Sequence, residues 1–219
     1  MTKRHRRKTI ISSPIASLEW ESLYRSRWDS LPWVSSAVPL KPLAEFFGRL
    51  ALPKKVLDFG CGNGRVAEVL DALGAVTVGA DCSETAVQKS KPLKNGSYVV
   101  ANSLDAFPSR VFNGVVLWGI LHHYPPQTWC GWIHASNNLL RSGGVILLGG
   151  FDCNDHGFRG KPVRTSPTTG SNAYCVHEEL IAAVVRDVGF SVVANDTIEL
   201  EDGGDDGRRR TWRYIIGQV

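Results

Sequence analysis

The sequence contains no apolar run of about 18 residues, the length that a membrane-spanning helix needs. The first eight residues, MTKRHRRK, also lack the apolar segment of a secretory signal. Internal repeats are absent. These absences predict a cytoplasmic protein without a membrane partner, and a length of 219 residues suits one compact domain.

Cysteine is scarce and unevenly spaced. The chain has five cysteines, an odd number, and no two of them form a Cys-x-x-Cys pair. This pattern argues against a disulfide framework and against a zinc site. We therefore expect reduced thiols and no bound metal.

Positive charge is concentrated at one end of the chain. The formal net charge is +4, but residues 1–8 carry five basic side chains and no acid, and the remainder has 20 basic against 21 acidic residues. We predict that residues 1–12 form a disordered basic tail. A nearly neutral remainder disfavours a nucleic-acid surface, which leaves nucleic acid as the less favoured partner.

The most informative segment is KKVLDFGCGNGR, residues 54–65, in which an apolar strand runs into an acid and three glycines. Asp58, Gly60, Gly62 and Gly64 alternate with other residues, and the glycines allow a sharp turn and a close approach of backbone to ligand. An amphipathic helix follows, with its free N–H groups facing the same point. The dinucleotide fingerprint G-x-G-x-x-G needs its third glycine at the position directly after Gly64, where Arg65 stands. The pattern predicts a nucleoside-cofactor site other than an NAD site.

Strand and helix patterns alternate over most of the chain. The segment VTVGAD is a second apolar strand, and it ends on Asp81 at about the distance expected of an acid that binds ribose hydroxyls. The alternation predicts an α/β fold, a Rossmann-like three-layer sandwich with a mostly parallel sheet. Residues 190–200 and 211–218 flank the turn EDGGDDG and are predicted to close the sheet as an antiparallel hairpin.

Four segments occur in a familiar order: VLDFGCGNGR, VGAD, FNGVVLWGILHHYP and LLRSGGVILLGG. Together they resemble the seven-stranded, class I S-adenosylmethionine-dependent methyltransferase family over most of the chain. The resemblance implies a seven-stranded sheet, S-adenosylmethionine as cofactor and S-adenosylhomocysteine as product. It also implies methyl transfer by in-line displacement, which we assign to an O or N atom of a small-molecule acceptor.

The resemblance implies roles for individual residues. Gly60, Gly62 and Gly64 would lie beneath the cofactor. Asp58 would reach its amino group directly or through water, and Asp81 would hold the ribose hydroxyls.

Adenine recognition departs from the family pattern. The family usually has an aspartate after the third strand, whereas this chain has Asn102 and Ser103 there. Both are candidate adenine contacts, and the choice between them stays open. Further candidate cofactor contacts are Cys61 and Cys82, which lie beside the predicted cofactor, and Trp118 at the end of the fourth strand.

The loop after the fourth strand carries His122 and His123, followed by Tyr124 and two prolines. Open α/β sheets bind ligands outside the carboxyl ends of their strands. A hydroxyl or ammonium acceptor must lose a proton, and histidine suits that task near neutral pH. We assign both histidines as candidate catalytic bases and favour His123, because Tyr124 and the prolines should hold it rigidly. Since the two are adjacent, only one is expected to face the methyl group. The alternative is a structural histidine bonded to backbone.

Aromatic residues mark a predicted N-terminal lid over residues 13–50, ahead of a methyltransferase domain at residues 51–219. The segment resembles the lid of small-molecule methyltransferases of the thiopurine and tellurite-resistance type. Its aromatic faces would attract a sulfonium cation. We assign Tyr24, Trp28 and Trp33, with Tyr124, as lid and substrate contacts. The alternative is a helix that packs on the sheet through its tryptophans.

The segment FDCNDHG after the fifth strand is rich in oxygen ligands. Metal-dependent methyltransferases would also need an acid after the fourth strand, where tryptophan and glycine stand. We therefore interpret Asp152, Asn154, Asp155 and His156 as polar substrate contacts or a solvated turn.

Two other functions stay open. A tRNA or peptide methyltransferase would anchor its substrate with the basic tail and Arg208–Arg210, although the Asn-Pro-Pro-Tyr loop of base-amine methyltransferases is absent. A catalytically silent cofactor-binding partner subunit is the third possibility. We expect a monomer or a weak homodimer.

Overall fold

A computed structural model describes residues 17–201 and 209–219. The predicted tail at residues 1–12, Arg208 and most of the EDGGDDG turn lie outside the described residues. The described strands are β1 (Lys55–Phe59), β2 (Val76–Asp81), β3 (Ser97–Val100), β4 (Phe112–Trp118), β5 (Leu140–Phe151), β6 (Val163–Thr165), β7 (Asn172–Tyr174), β8 (Ser191–Glu201) and β9 (Arg209–Gln218).

Seven strands form one sheet in the order β3-β2-β1-β4-β5-β9-β8. The pairs among β1 to β5 are parallel, whereas β9 pairs antiparallel with both β5 and β8. The predicted fold class, including the closing antiparallel hairpin, is confirmed. The strand order reverses direction between β1 and β4, which is where open α/β sheets bind ligands.

Helices cover both faces of the sheet. They are α1 (Ser17–Arg27), α2 (Pro32–Ser35), α3 (Leu40–Gly48), α4 (Arg65–Ala72), α5 (Glu84–Lys89), α6 (Trp129–Leu139) and α7 (Glu178–Asp187). Successive residues of β1 point to opposite faces. Val56 therefore joins a buried cluster with α3 and α4, and Leu57 joins the one with α6 and α7. None of the described helices combines the length and apolar character needed to cross a bilayer.

A small hairpin, β6–β7, lies between β5 and α7 and was not predicted. Arg164 of β6 pairs with Ala173 of β7. A disulfide between Cys153 and Cys175 joins the loop after β5 to the residue that follows β7. The expectation of reduced thiols is wrong for this pair, because chain folding brings two residues 22 positions apart to a Cα separation of 4.7 Å.

The acidic loop after β5 holds buried ion pairs. Asp155 accepts hydrogen bonds from the guanidinium of Arg210, and the distance from Nη2 to Asp155 Oδ1 is 2.6 Å. Asp152 Oδ2 accepts a hydrogen bond from Arg213 Nε, also at 2.6 Å. The interpretation of these two aspartates as substrate contacts or a solvated turn is therefore wrong. Arg210 is buried, so it does not form the surface anchor considered for RNA. Across the described ranges, no cluster of three or more His, Cys, Asp or Glu side chains has a metal-binding arrangement.

Candidate active site

A cavity of about 1080 Å³ opens at the edge of the sheet where β1 to β5 end. Protein ligand pockets typically enclose about 300–1,000 Å³, so the space suits a cofactor together with a small acceptor. One half lies over β3, β2 and β1 and is bordered by the glycine turn. The other lies over β4, β5 and β9 and includes the β6–β7 hairpin.

The glycine turn has a conformation that other residues rarely adopt. Gly60, Gly62 and Gly64 have φ angles of 75°, 55° and 81°. A Cβ atom at Gly60 would collide with the side chain of Ile120, and one at Gly64 with Tyr98. The glycines are therefore required by the packing of the turn itself, whether or not a ligand is bound.

Asp58 lies at the floor of the cavity and is only 2% exposed. Its Oδ2 atom is buried and has no hydrogen-bond partner within the described structure. Burial raises the pKa of this carboxyl to about 7, although a hydrogen bond from the Ala67 backbone opposes the rise. A buried, unsatisfied carboxylate oxygen beside a cavity fits the ammonium group of an amino-acid ligand.

Asp81 holds the turn in place from the end of β2. One of its oxygens accepts a hydrogen bond from Gly62 N at 2.9 Å, and the other accepts one from Ser83 N at 2.9 Å. Burial raises its pKa, and these backbone donors oppose the rise. Both oxygens retain lone pairs, and Asp81 borders the cavity.

Of the three glycines, Gly60 and Gly62 border the cavity and Gly64 does not. Five other predicted cofactor contacts border it. They are Cys61, Cys82, Asn102, Ser103 and Trp118. Ser103 additionally accepts a hydrogen bond from Asp105 N at 3.2 Å, which begins a short 3-10 helix.

The N-terminal segment closes one side of the cavity through aromatic rings. Tyr24 and Trp33 line it, and Trp33 Nε1 donates a hydrogen bond to the Tyr24 hydroxyl at 3.1 Å. Trp20, which the sequence analysis missed as a contact, lines it too. Trp28 does not line the cavity. Its ring packs against the ring of Tyr24, and Lys89 Nζ lies 4.5 Å from the centre of the Trp28 ring.

Polar contacts fix this segment on the cofactor half. Glu21 accepts hydrogen bonds from the hydroxyls of Ser83 and Thr85, both at 2.6 Å. Asn63 donates to the Val34 carbonyl at 2.9 Å. Arg65, the residue that excluded an NAD fingerprint, donates to the carbonyl of Trp33 as well. These hydrogen bonds therefore connect the N-terminal segment to the glycine turn and to the start of α5.

His122 and His123 both line the cavity, with ring centres 4.0 Å apart. Both belong to the 3-10 turn Leu121–His123, and the expectation that only one of them faces the methyl group stays a prediction. Burial lowers the pKa of His123 to about 4. Burial and nearby positive charge, including that of Arg164, lower the pKa of His122 well below its ordinary range. Both imidazoles are neutral at pH 7.

The acceptor half has an aromatic wall. Trp118 stacks on Trp212 at a centroid distance of 5.3 Å, and Phe151 lies 4.5 Å from Trp212 and 4.6 Å from His122. Tyr124 also borders this half. Trp212 and Phe151 were missed because a strand pattern does not reveal which neighbouring loop its side chains meet.

Comparison with known proteins agrees with this geometry. The family model described as "Methyltransferase domain" matches residues 35–195. A ubiquinone biosynthesis O-methyltransferase of Azotobacter vinelandii is 30% identical over 141 residues, which cover 59% of this chain and 60% of the relative. The ubiquinone biosynthesis O-methyltransferase of Nitrosomonas europaea is 26% identical over 151 residues, which cover 64% of this chain and 63% of the relative. The chain thus spans under two thirds of the length of these relatives.

Solved structures share the fold. A methyltransferase from Anabaena variabilis superposes with a TM-score of 0.73 at 18% identity. The match covers 92% of this chain and 94% of the Anabaena chain. A second structure is the 1,6-didemethyltoxoflavin-N1-methyltransferase of Burkholderia thailandensis, solved with 1,6-didemethyltoxoflavin and S-adenosylhomocysteine. It superposes with a TM-score of 0.69 at 19% identity, and the match covers 93% of this chain and 90% of that one.

Proposed function

We propose a function from one premise: the chain belongs to the class I S-adenosylmethionine-dependent methyltransferase family. It binds S-adenosylmethionine in the half of the cavity over β3, β2 and β1, and it methylates an O or N atom of a small molecule held in the other half. The unsatisfied Asp58 oxygen beneath the glycine turn carries the proposal, because a ligand ammonium would complete its hydrogen bonding.

The cofactor half offers a partner for each polar part of the ligand. Asp58 would receive the amino group, and the lone pairs of Asp81 not used by the turn would accept the ribose hydroxyls. Asn102 and Ser103 border the side where adenine would lie. The rings of Trp20 and Tyr24 present faces that attract cations. Residues 13–50 would act as the lid and residues 51–219 as the methyltransferase domain.

When bound, the cofactor supplies a methyl group on a positively charged sulfur. The walls of the cavity align the acceptor with that group and exclude water. The acceptor atom takes the methyl group in line and releases its proton. His123 or His122, both neutral, would accept it. A base with a pKa of about 4 holds the proton only weakly, so an acidic acceptor hydroxyl suits this site better than an aliphatic alcohol.

Two observations support a small aromatic acceptor. The wall formed by Trp118, Phe151 and Trp212 matches a planar ring. The relatives are named for ubiquinone biosynthesis and one structural neighbour for 1,6-didemethyltoxoflavin, and both names refer to small molecules.

The first test is calorimetric binding of S-adenosylhomocysteine to the purified chain. Asp81→Ala should weaken binding about ten- to hundredfold, since a hydrogen bond to a charged group contributes about 1.5–3 kcal/mol. Asp187→Ala, at the exposed end of α7, is the control and should bind normally. Transfer of labelled methyl from S-adenosylmethionine to a metabolite extract, compared with transfer to RNA and protein, then identifies the acceptor class. Absence of S-adenosylhomocysteine binding refutes the proposal, and labelling of RNA alone replaces its acceptor.

A further inference from the structure

Arg65 is a cation without an ion pair at the cofactor half of the cavity. It is the first residue of α4, directly after the glycine turn, and it is half-buried and lines the cavity. No carboxylate of residues 17–201 and 209–219 lies within ion-pair distance of it. Burial lowers the pKa of Arg65, and the charge of Glu68 opposes the fall. Because a partly buried guanidinium without a counterion is costly, a bound anion would stabilise it.

The guanidinium of Arg65 keeps hydrogen-bond donors available. Its Nε donates to Asn63 Oδ1 at 3.2 Å, and its Nη2 donates to the Trp33 carbonyl. Arginine has five N–H donors in a planar fork. These two contacts leave Nη1 without an acceptor in the part of the chain that the structure describes. The remaining donors are available to a ligand in the cavity.

The hydroxyl of Tyr24 is a second available donor. It accepts a hydrogen bond from Trp33 Nε1 at 3.1 Å, which uses a lone pair and not its own proton. Tyr24 is buried and lines the cavity, and its oxygen lies 2.9 Å from the point that a Cβ atom of Gly62 would occupy. Burial and the charge of Asp81 raise the pKa of Tyr24 well above its ordinary value, so the proton is retained. Among the described residues none accepts this proton.

Trp33 joins the two donors, since its carbonyl accepts from Arg65 and its indole donates to Tyr24. Tyr24 also acts electrostatically on Arg65. Asp58 is close by along α4, because it accepts a hydrogen bond from the backbone of Ala67, two residues after Arg65. An unsatisfied carboxylate oxygen and an unpaired cation therefore both adjoin the first turn of one helix. This pair of charges complements the ammonium and the carboxylate of a free amino-acid group.

We propose that Arg65 and the Tyr24 hydroxyl bind the carboxylate at the amino-acid end of the cofactor, while Asp58 binds its ammonium group. This inference rests on the proposed function and adds a partner for the cofactor's one anionic group. A guanidinium fork matches the two oxygens of a carboxylate. The hydrogen bond from Trp33 polarises the Tyr24 hydroxyl and strengthens its donation, and the N-terminus of α4 also favours an anion.

The proposal gives the N-terminal segment a role in cofactor selection. Tyr24 belongs to that segment, and Arg65 is bonded to it through Trp33. A ligand that carries the carboxylate therefore contacts the segment and the helix together, and it should stabilise residues 17–36. A nucleoside sulfide without the carboxylate gains neither contact.

The test uses S-adenosylhomocysteine and its decarboxylated form, which keeps the adenosine and the ammonium group. Both are titrated into the full chain by calorimetry. We expect loss of the carboxylate to weaken binding about ten- to hundredfold. Arg65→Gln should reduce this preference to about threefold or less, and Arg65→Lys should retain part of it, since lysine keeps the charge without the planar fork. Tyr24→Phe should reduce the preference about three- to tenfold through loss of one hydrogen bond.

Two matched controls remove the same chemical groups outside the cavity. Arg186→Gln removes an exposed guanidinium on α7. Tyr98→Phe removes a hydroxyl that donates to the Gly64 carbonyl at 3.2 Å, beside the same turn. Neither Arg186 nor Tyr98 lines the cavity, so both variants should keep the full preference. Amide exchange is an independent measurement: saturating S-adenosylhomocysteine should protect residues 17–36 more than the saturating decarboxylated form does.

Each result has a separate meaning. Absence of S-adenosylhomocysteine binding to the unmodified chain refutes the proposed function. If S-adenosylhomocysteine binds and the decarboxylated form binds equally well, the carboxylate inference is overturned and the proposed function stands. A preference that survives in Arg65→Gln, or is unchanged in Tyr24→Phe, overturns the assignment to that residue. Equal weakening of both ligands by a variant shows that the residue only supports the turn, which also overturns its assignment. Equal protection of residues 17–36 by both ligands overturns the role of the N-terminal segment in selection.

Discussion

Replacing Asp58 with asparagine should stabilise the ligand-free protein while weakening cofactor binding. The carboxylate is buried, and its pKa is raised to about 7. Between about pH 4 and pH 7 the native state binds a proton that the unfolded state has released. Stability therefore falls as pH rises through this window, and the loss is complete above about pH 7.

The magnitude follows from the shift in pKa. An unfolded aspartate titrates near pKa 3.9, so a native value of about 7 costs about 4 kcal/mol of folding free energy at pH 8. Asp58→Asn removes the charge and keeps an oxygen for the Ala67 hydrogen bond. The amide nitrogen still lacks a partner, which costs about 1–3 kcal/mol. A net gain of about 1–3 kcal/mol in the free energy of unfolding is expected at pH 8, and little or no gain at pH 4.

The assay is urea unfolding at pH 4 and pH 8, with calorimetric titration of S-adenosylhomocysteine. Affinity should fall about ten- to hundredfold in Asp58→Asn, because the ammonium loses its charged partner. Asp71→Asn is the matched control: this buried carboxylate already accepts hydrogen bonds from Lys94 N at 2.8 Å and Asn95 N at 2.7 Å. That variant should lose stability at pH 8. A decrease in stability for Asp58→Asn at pH 8, or unchanged affinity, would refute the reasoning.

Three further outcomes are expected. Hydrogen bonds, first that from Ser83, lower the pKa of Glu21 to about 2. Its stabilisation of the N-terminal segment is therefore present above its ordinary pKa and is lost as pH falls toward 2. Glu21→Gln should speed amide exchange in residues 17–36, and unchanged exchange would contradict this. Reduction of the Cys153–Cys175 disulfide should lower the free energy of unfolding by about 2–4 kcal/mol and weaken acceptor binding more than cofactor binding, whereas the double serine variant should not respond to reductant. His123→Ala should reduce turnover about 10²- to 10⁴-fold without changing cofactor affinity, and full turnover in the variant would remove His123 as the base. Because the pKa of His123 is about 4, its titration should not lower the kcat of the unmodified enzyme between pH 8 and pH 6.

Residues close together in the sequence made the cofactor half predictable. The glycine turn, the acid before it and the acid at the end of β2 belong to two consecutive strand–turn–helix units, and local geometry brings them together. The sequence therefore predicts that Asp58 and Asp81 lie at one edge of the sheet, where the structure has both. The His-His loop was equally visible, because it follows a strand at that edge. The pKa values of these groups were not predictable, since they depend on burial by distant segments.

The acceptor half depends on contacts between residues far apart in the chain. Trp212 reaches it because β9 lies antiparallel beside β5, and Arg164 because it lies on the unpredicted β6–β7 hairpin. The sequence favoured Asp155 as a substrate contact or part of a solvated turn, whereas the fold pairs it with Arg210, 55 residues later. The sequence by itself determined the sheet and the cofactor turn, because both follow from local periodicity and backbone freedom. The tertiary structure alone decided which charges and rings surround the acceptor, because long-range packing brings them together and no local pattern records it.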